Sequence, residues 1–113
     1  MTDMTIRAAA GIWTVRAGGA VLAESRNALQ LSETGYPDII YFPREDIAMA
    51  FLDRTDHATT CPKKGEACYF SIVTKSQTLE NAAWSYETPL EGATEIAGHI
   101  AFHATDFVTI EQI

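Results

Sequence analysis

Short β-type segments separated by glycine and proline constrain the fold of this chain more than any other feature of its sequence. The most regular example covers residues 12–24, where two partly alternating arms flank the turn Ala-Gly-Gly at residues 17–19. Because glycine readily adopts the positive φ angles of tight turns, this segment predicts a β-hairpin. Residues 38–42 lie between Pro37 and Pro43, and their β-branched and aromatic content predicts a short strand buried on both faces.

The same pattern continues in the second half of the chain. Segments rich in β-branched and aromatic residues predict further strands at residues 67–74 and 82–86, and a second hairpin at residues 100–103 and 107–110, joined near residues 104–106. No internal repeat, low-complexity tract or linker interrupts this succession. The sequence therefore predicts one domain over residues 1–113.

Two segments have a helical composition instead. Residues 44–52 follow Pro43 and begin with acidic side chains, which predicts a single short helix or helical turn. Residues 90–97 predict one more helical turn, which Gly98 would end. With so little helix, the predicted fold class is a small, mainly β domain whose antiparallel strands form a sandwich or open barrel, with one or two short helices.

The charge balance bears on the kind of partner. Eight basic and fifteen acidic side chains give a net charge of −7, and this disfavours nucleic-acid binding, which needs a basic face. The N-terminus lacks the basic and apolar regions of a signal peptide, and no apolar run approaches a membrane span. Two cysteines are too few for a disulfide framework. We therefore expect a cytoplasmic protein without a membrane or nucleic-acid partner.

The segment Cys-Pro-Lys-Lys-Gly at residues 61–65 combines a thiol with two lysines and is the strongest candidate for reactive chemistry. If residues 60–69 form a hairpin, a two-residue or a four-residue loop gives the same pairing, with Cys61 opposite Cys68. Three interpretations remain open. Cys61 is a packed apolar thiol, a thiolate whose pKa a neighbouring lysine lowers, or one half of a redox pair with Cys68.

Metal and cofactor binding are not expected. A structural zinc site usually takes its four ligands from closely spaced pairs, and the chain has no C-x-x-C. The phosphate-binding glycine motifs, the G-x-S-x-G nucleophile motif and the H-E-x-x-H zinc motif are also absent from the sequence. The enzyme classes that carry these motifs are disfavoured.

Charged and aromatic groups elsewhere could add to a site. Arg44, Glu45 and Asp46 lie between a predicted strand and a predicted helix, where they would either meet a ligand or start an exposed helix. Trp84 and Tyr86 are two residues apart and would share one strand face. They would pack in the core or form the aromatic wall of a pocket.

An ordered set of motifs covers nearly the whole chain. It consists of Tyr-Phe-Pro-Arg-Glu-Asp at residues 41–46, Cys-Pro-Lys-Lys-Gly at 61–65 with Tyr69, Ala-Ala-Trp-Ser-Tyr at 82–86 with Pro89, and Ile-Ala-Gly at 96–98 with Ala101 and Phe102. With this set the chain resembles the bacterial family called domain of unknown function 427. The resemblance implies a small, mainly β domain of the Mss4-like or β-tent type. Several proteins of that type carry zinc on paired C-x-x-C knuckles, which this chain lacks.

The resemblance also implies which residues hold the family's motif positions: Arg44, Asp46, Cys61, Lys64, Trp84 and Tyr86. The family has carried a nucleotidyltransferase-like label as well. The chain has no paired carboxylates of the G-S…D-x-D style that such chemistry uses to hold magnesium.

We predict a small-molecule-binding domain, with enzymatic activity left open. Its polar pocket would combine Arg44 or Lys64 as the contact for an anionic ligand group, Asp46 as an orienting group or base, and Cys61 as nucleophile or packing residue. Trp84 and Tyr86 would wall it. The alternative is a non-catalytic protein-interaction or scaffold module, in which these residues determine turns and core. The oligomeric state is left open.

Overall fold

The computed structural model describes residues 3–113 and forms a mainly β domain. Over these residues the chain has ten strands and three single turns of 3-10 helix. The strands are β1 (Met4–Ala8), β2 (Trp13–Ala17), β3 (Ala20–Ser25), β4 (Leu29–Glu33), β5 (Ile39–Tyr41), β6 (Leu52–Cys61), β7 (Gly65–Val73), β8 (Thr78–Ser85), β9 (Ile100–Phe102) and β10 (Val108–Gln112). The predicted fold class is confirmed.

The strands form three antiparallel sheets. Sheet A has the order β1-β4-β5, sheet B the order β10-β2-β3, and sheet C the order β6-β7-β8-β9. The sheets pack around a main apolar core centred on buried side chains such as Val15, Phe42 and Ile72. A second, smaller apolar cluster, which includes Leu31 and Tyr41, joins sheet A to sheet C. This second cluster underlies the candidate site.

The first predicted hairpin is confirmed, and the second is wrong. Strands β2 and β3 pair across a turn in which Gly18 has a φ of 59°. Strand β9 pairs with β8 in sheet C, whereas β10 pairs with β2 in sheet B. The ring of Phe102 packs on Phe42 with centroids 5.9 Å apart, and Val108 is buried opposite Ala17. Each strand therefore buries its apolar face in a different sheet, which separates the two arms.

The helical segments are shorter than an α-helix. Residues 44–52 form two separate 3-10 turns, Arg44–Asp46 and Met49–Phe51. Between them Ile47 is extended and buried, and it forms a β-bridge with Ala23 of β3. This bridge interrupts what the composition predicts as one helix. The turn predicted at residues 90–97 is present at Thr94–Ile96. Among the helices within residues 3–113, none is long and apolar enough to span a membrane.

Three strands were not predicted from the sequence, namely β1, β4 and β6. Strand β6 carries mostly polar side chains because it lies at the edge of sheet C, where most of them are exposed. Such a strand lacks the apolar alternation that marks a half-buried strand. Strand β4 lies between β1 and β5, and its alternation is only partial.

Candidate functional site

A cavity of about 690 Å³ opens between sheet A and sheet C. Sheet A contributes side chains from β4, β5 and the turn between them, and sheet C contributes β6, β7 and β8 with the loop that joins β6 to β7. Six of the lining residues have flat rings: Tyr36, Tyr41, Tyr69, Trp84, Tyr86 and His103. The cavity therefore has aromatic walls, and its floor is the second apolar cluster.

The loop at one end of the cavity belongs to the hairpin β6–β7. Cys61 pairs with Gly65 across a three-residue loop, and Cys68 pairs with Ala58. The predicted pairing of Cys61 with Cys68 is therefore wrong. The backbone N–H of Leu90 donates to the carbonyl oxygen of Lys64 at 2.9 Å, and this bond holds the loop against the segment that follows β8.

This register has consequences for both cysteines. Gly65 has a φ of 107°, a conformation that strongly favours glycine, and it closes the loop three residues after Pro62. Along the ladder, the two cysteine positions are then about 10 Å apart, taking roughly 3.3 Å per residue. Both thiols are free. The geometry offers no support for a redox pair.

Two lysines and one glutamate form a charged group at this end of the cavity. The Lys63 Nζ lies 3.3 Å from Glu33 Oε2, and the Lys64 Nζ lies 3.4 Å from Glu33 Oε1. The side chains of Lys64 and Glu33 are each only 12% exposed. Burial raises the pKa of the Glu33 carboxyl, but the ammonium groups of Lys64 and Lys63 outweigh it and lower the pKa overall.

The Cys61 thiol joins this charged group. The Lys64 Nζ lies 3.5 Å from Cys61 Sγ. Burial raises the pKa of the Cys61 thiol, but the backbone N–H groups of Lys63 and Lys64 and the Lys64 ammonium lower it by more. Burial and the nearby Glu87 carboxylate instead raise the pKa of the Cys68 thiol. At neutral pH, Cys61 is therefore the cysteine with the larger thiolate fraction.

Trp84 connects the aromatic walls. Its Nε1–H donates to the Tyr41 hydroxyl at 3.4 Å, with the two rings edge to face at 6.5 Å. The ring centroid of His103 lies 4.4 Å from that of Trp84, with the two planes tilted by 41°. Burial raises the pKa of Tyr41 to about 12 and lowers the pKa of His103. Both side chains are accordingly uncharged at neutral pH and present ring surface to the cavity.

Tyr86 has an unusual hydroxyl. The residue is only 7% exposed, and its hydroxyl makes no hydrogen bond with any residue in the described range 3–113. No buried polar side-chain atom in that range is unpaired, so the hydroxyl oxygen itself is accessible. Burial and then the charges of Tyr41 and Cys61 raise the pKa of Tyr86 well above its usual range. Since those neighbours line the cavity, the hydroxyl faces the same space as an unused, permanently protonated donor.

Arg44 and Asp46 lie outside the cavity lining. The Arg44 Nε donates to the carbonyl oxygen of Gly98 at 2.7 Å, and Nη2 lies 2.8 Å from both carboxylate oxygens of Glu87. Asp46 accepts a hydrogen bond from the Ser25 hydroxyl at 2.6 Å. Of the six residues expected to converge, the structure brings together Cys61, Lys64, Trp84 and Tyr86 and places the other two in separate contacts.

Sequence analysis did not identify Glu33 or Tyr36 as site residues. A weak signal for Glu33 exists, because Leu29, Leu31 and Glu33 share one face of β4, so the acid continues an apolar face. Tyr36 lies in the exposed turn between β4 and β5, where the sequence carries no comparable signal. Its position in the lining depends on how sheet A packs against sheet C.

The described residues contain no group of three or more His, Cys, Asp or Glu side chains arranged to hold a metal ion. The donors at the cavity are a thiol, ammonium groups, phenols and a single carboxylate. This set suits hydrogen bonding and ion pairing with an organic ligand rather than metal coordination.

Fold and site together define a small, mainly β domain with an aromatic cavity whose charged end carries a thiol. The model of the family Domain of unknown function (DUF427) matches residues 5–112. The chain therefore belongs to this family. Comparison with curated proteins gives no match.

Proposed function

We propose that the cavity between sheets A and C binds a small organic molecule with an anionic group and a flat, largely apolar body. The observation that carries this proposal is the meeting of Lys63 and Lys64 with an aromatic wall in one cavity of about 690 Å³. Ligand cavities in proteins commonly have volumes of roughly 300–1,000 Å³ and combine apolar surface with a few polar groups.

The charges of the lining support an anionic ligand group. With Cys61 as a neutral thiol, two ammonium groups and the carboxylate of Glu33 leave the lining one positive charge in excess. The whole chain carries a net charge of −7, so this end of the cavity differs in sign from the protein around it. An entering carboxylate would share the lysines with Glu33, as charge-assisted hydrogen bonds allow.

The aromatic walls of the cavity support a ligand with a flat body. Trp84, Tyr41 and Tyr69 offer ring faces and edges on opposite sides of the cavity. Ring pairs contribute about 0.5–1.5 kcal/mol beyond the burial of their area. A cytoplasmic location is part of the same proposal, since two free cysteines suit a reducing compartment.

The alternative, a non-catalytic interaction or scaffold module, requires no cavity and assigns the same residues to turns and core. In the structure Arg44 and Asp46 suit that description, because their contacts are internal. Cys61, Lys64 and Tyr86 suit it less, since they face an open volume. For this reason we favour a ligand-binding function over a scaffold.

The test compares two ligands of one shape, naphthoate and its uncharged amide, by calorimetric titration. We expect naphthoate to bind more tightly, because only its carboxylate can pair with the lysines. In Lys64→Gln the preference should fall by about fivefold, the value of one partly screened ion pair of roughly 1 kcal/mol.

Lys75→Gln is the matched control, since Lys75 is exposed in the turn between β7 and β8 and does not line the cavity. It should leave both affinities unchanged. If neither compound binds, or if Lys64→Gln and Lys75→Gln behave alike, the proposed function is wrong and the scaffold alternative gains support.

A further inference from the structure

Three kinds of reactive or polar group meet in the cavity, and reversible binding alone does not use them all. Cys61 supplies a thiol, Lys63 and Lys64 supply positive charge, and Tyr86 supplies a hydroxyl without a partner. Aromatic rings line the space between them. A ligand that used every group would need an anionic end, an atom open to thiolate attack, a hydrogen-bond acceptor and a flat shape.

Cys61 has the surroundings of a nucleophile. The Lys64 ammonium lies 3.5 Å from its sulfur, and the backbone N–H groups of Lys63 and Lys64 point at it. These donors stabilise the thiolate, which is the reactive form of cysteine. Cys61 also lines the cavity directly, so an enclosed ligand can reach it. Cys68, by contrast, does not line the cavity and lies near Glu87.

Tyr86 supplies a hydrogen-bond donor that the residues around the cavity do not use. Tyr86 as a residue is 7% exposed, but no buried polar side-chain atom of residues 3–113 lacks a hydrogen-bond partner, so its hydroxyl oxygen itself is accessible. Among residues 3–113, the Tyr86 hydroxyl has no hydrogen-bond partner, and it faces the cavity that Cys61 lines. A carbonyl oxygen of a bound ligand would satisfy it.

We propose that Cys61 adds covalently to anionic α,β-unsaturated carbonyl compounds that enter this cavity. This inference rests on the proposed function, because the same lysines hold the carboxylate in both. Such compounds are flat and conjugated, and they combine a carboxylate with a carbonyl oxygen and an electrophilic carbon. They therefore match the charge, the donor and the walls of the cavity together.

The addition is balanced without an oxidant or a leaving group. The Cys61 thiolate forms a C–S bond to the β-carbon, and the electron pair of the C=C bond moves to the carbonyl oxygen as an enolate. The Tyr86 hydroxyl donates a hydrogen bond to that oxygen. Water protonates the α-carbon, which replaces the proton that the thiol lost on ionising. The product is a thioether.

The experiment uses benzoylacrylate and its uncharged amide on the full chain at neutral pH. Mass spectrometry follows adduct formation, and peptide mapping identifies the modified residue. Each rate is divided by the rate of the same reagent with N-acetylcysteine, which removes the intrinsic reactivity of the reagent. We expect a single adduct on Cys61 and a normalised preference for the anionic reagent of about five- to tenfold, as one ion pair provides.

The variants separate the roles. Cys61→Ser should form no adduct, whereas Cys68→Ser should react like the wild type. Lys64→Gln should slow the anionic reagent by about tenfold, because the variant loses both the stabilisation of the thiolate and the contact with the carboxylate. The amide should slow less, since only the first of these losses affects it. Tyr86→Phe should slow both reagents to the same extent, by about tenfold, since the carbonyl is common to both.

Modification of Cys68 at the rate of Cys61, or the absence of any normalised charge preference, would overturn the inference. A wild-type protein that prefers naphthoate over its amide yet forms no Cys61 adduct would overturn this inference alone. If naphthoate does not bind and the adduct forms without a charge preference, both the proposed function and this inference are wrong.

Discussion

Two charged groups in this fold each pair basic side chains with a glutamate from a distant part of the chain, and they differ in the lengths of their contacts and in what lies beside them. Arg44 holds Glu87 through one nitrogen at 2.8 Å and Gly98 through another at 2.7 Å, and its guanidinium lies over the ring of Phe70. Lys63 and Lys64 hold Glu33 at 3.3 and 3.4 Å beside an open cavity.

The difference indicates which group is structural. Short, directional hydrogen bonds to a backbone carbonyl fix one element to another, and Arg44 so joins its 3-10 turn to the segment before β9. The contacts of the lysines with Glu33 are longer and lie beside the open cavity, where our proposal places the anionic group of a ligand. The same residue types thus serve fold stability in one place and, in our proposal, ligand binding in the other.

The largest expected effect is on stability. Arg44→Met should lower the free energy of unfolding by about 1–3 kcal/mol, because the Gly98 carbonyl loses its donor and the Glu87 carboxylate keeps only Ser85 and the more distant Arg54. Lys64→Met should cost less than Arg44→Met, since Lys63 still neutralises Glu33. Urea denaturation of both variants measures the contrast. Equal losses would remove the distinction between the two groups.

A smaller effect should be seen in binding. Glu33→Gln removes the carboxylate that the two lysines share, so we expect naphthoate to bind about three- to fivefold more tightly, equivalent to roughly 1 kcal/mol for one ion pair. Glu87→Gln alters the other charged group and should leave the affinity unchanged. Calorimetric titration tests both. Unchanged or weaker binding in Glu33→Gln would mean that the lysines are not the anion contact.

The smallest effect concerns pH. The pKa of Glu33 is lowered in the folded protein, so its ionised form contributes stability above its ordinary pKa of 4.5. That contribution is lost as the pH falls through the lower folded value. The difference in urea midpoint between wild type and Glu33→Gln should therefore be largest near neutral pH and shrink in acid. A difference independent of pH would show that the lysines do not stabilise the carboxylate.

Local sequence was sufficient for several elements. The hairpin β2–β3 follows from its glycine-rich turn, and β5 from the two prolines around it. Of the open interpretations of Cys61, the thiolate with a pKa lowered by a neighbouring lysine has the direction found in the structure, because Cys61, Lys63 and Lys64 lie within four consecutive residues. The Mss4-like architecture implied by the family resemblance stays a prediction.

Other predictions failed because they depended on distant contacts. The pairing of Cys61 with Cys68 assumed a loop length, but the actual loop is set by Gly65 and held by Leu90. The predicted C-terminal hairpin is wrong because β9 pairs within sheet C and β10 pairs within sheet B. The single helix predicted at residues 44–52 is instead two separate turns, because Ile47 between them pairs with Ala23.

The sequence by itself determined that the chain would form short antiparallel strands and which turn would carry a thiol beside two lysines. Turn chemistry and side-chain alternation are local, so they can be read without knowing the partners. Only the tertiary structure decided that Glu33 would meet those lysines, that Tyr86 would face them with a free hydroxyl, and that Arg44 would bind Glu87 instead. Those contacts join residues far apart in sequence, and the packing of whole sheets selects them.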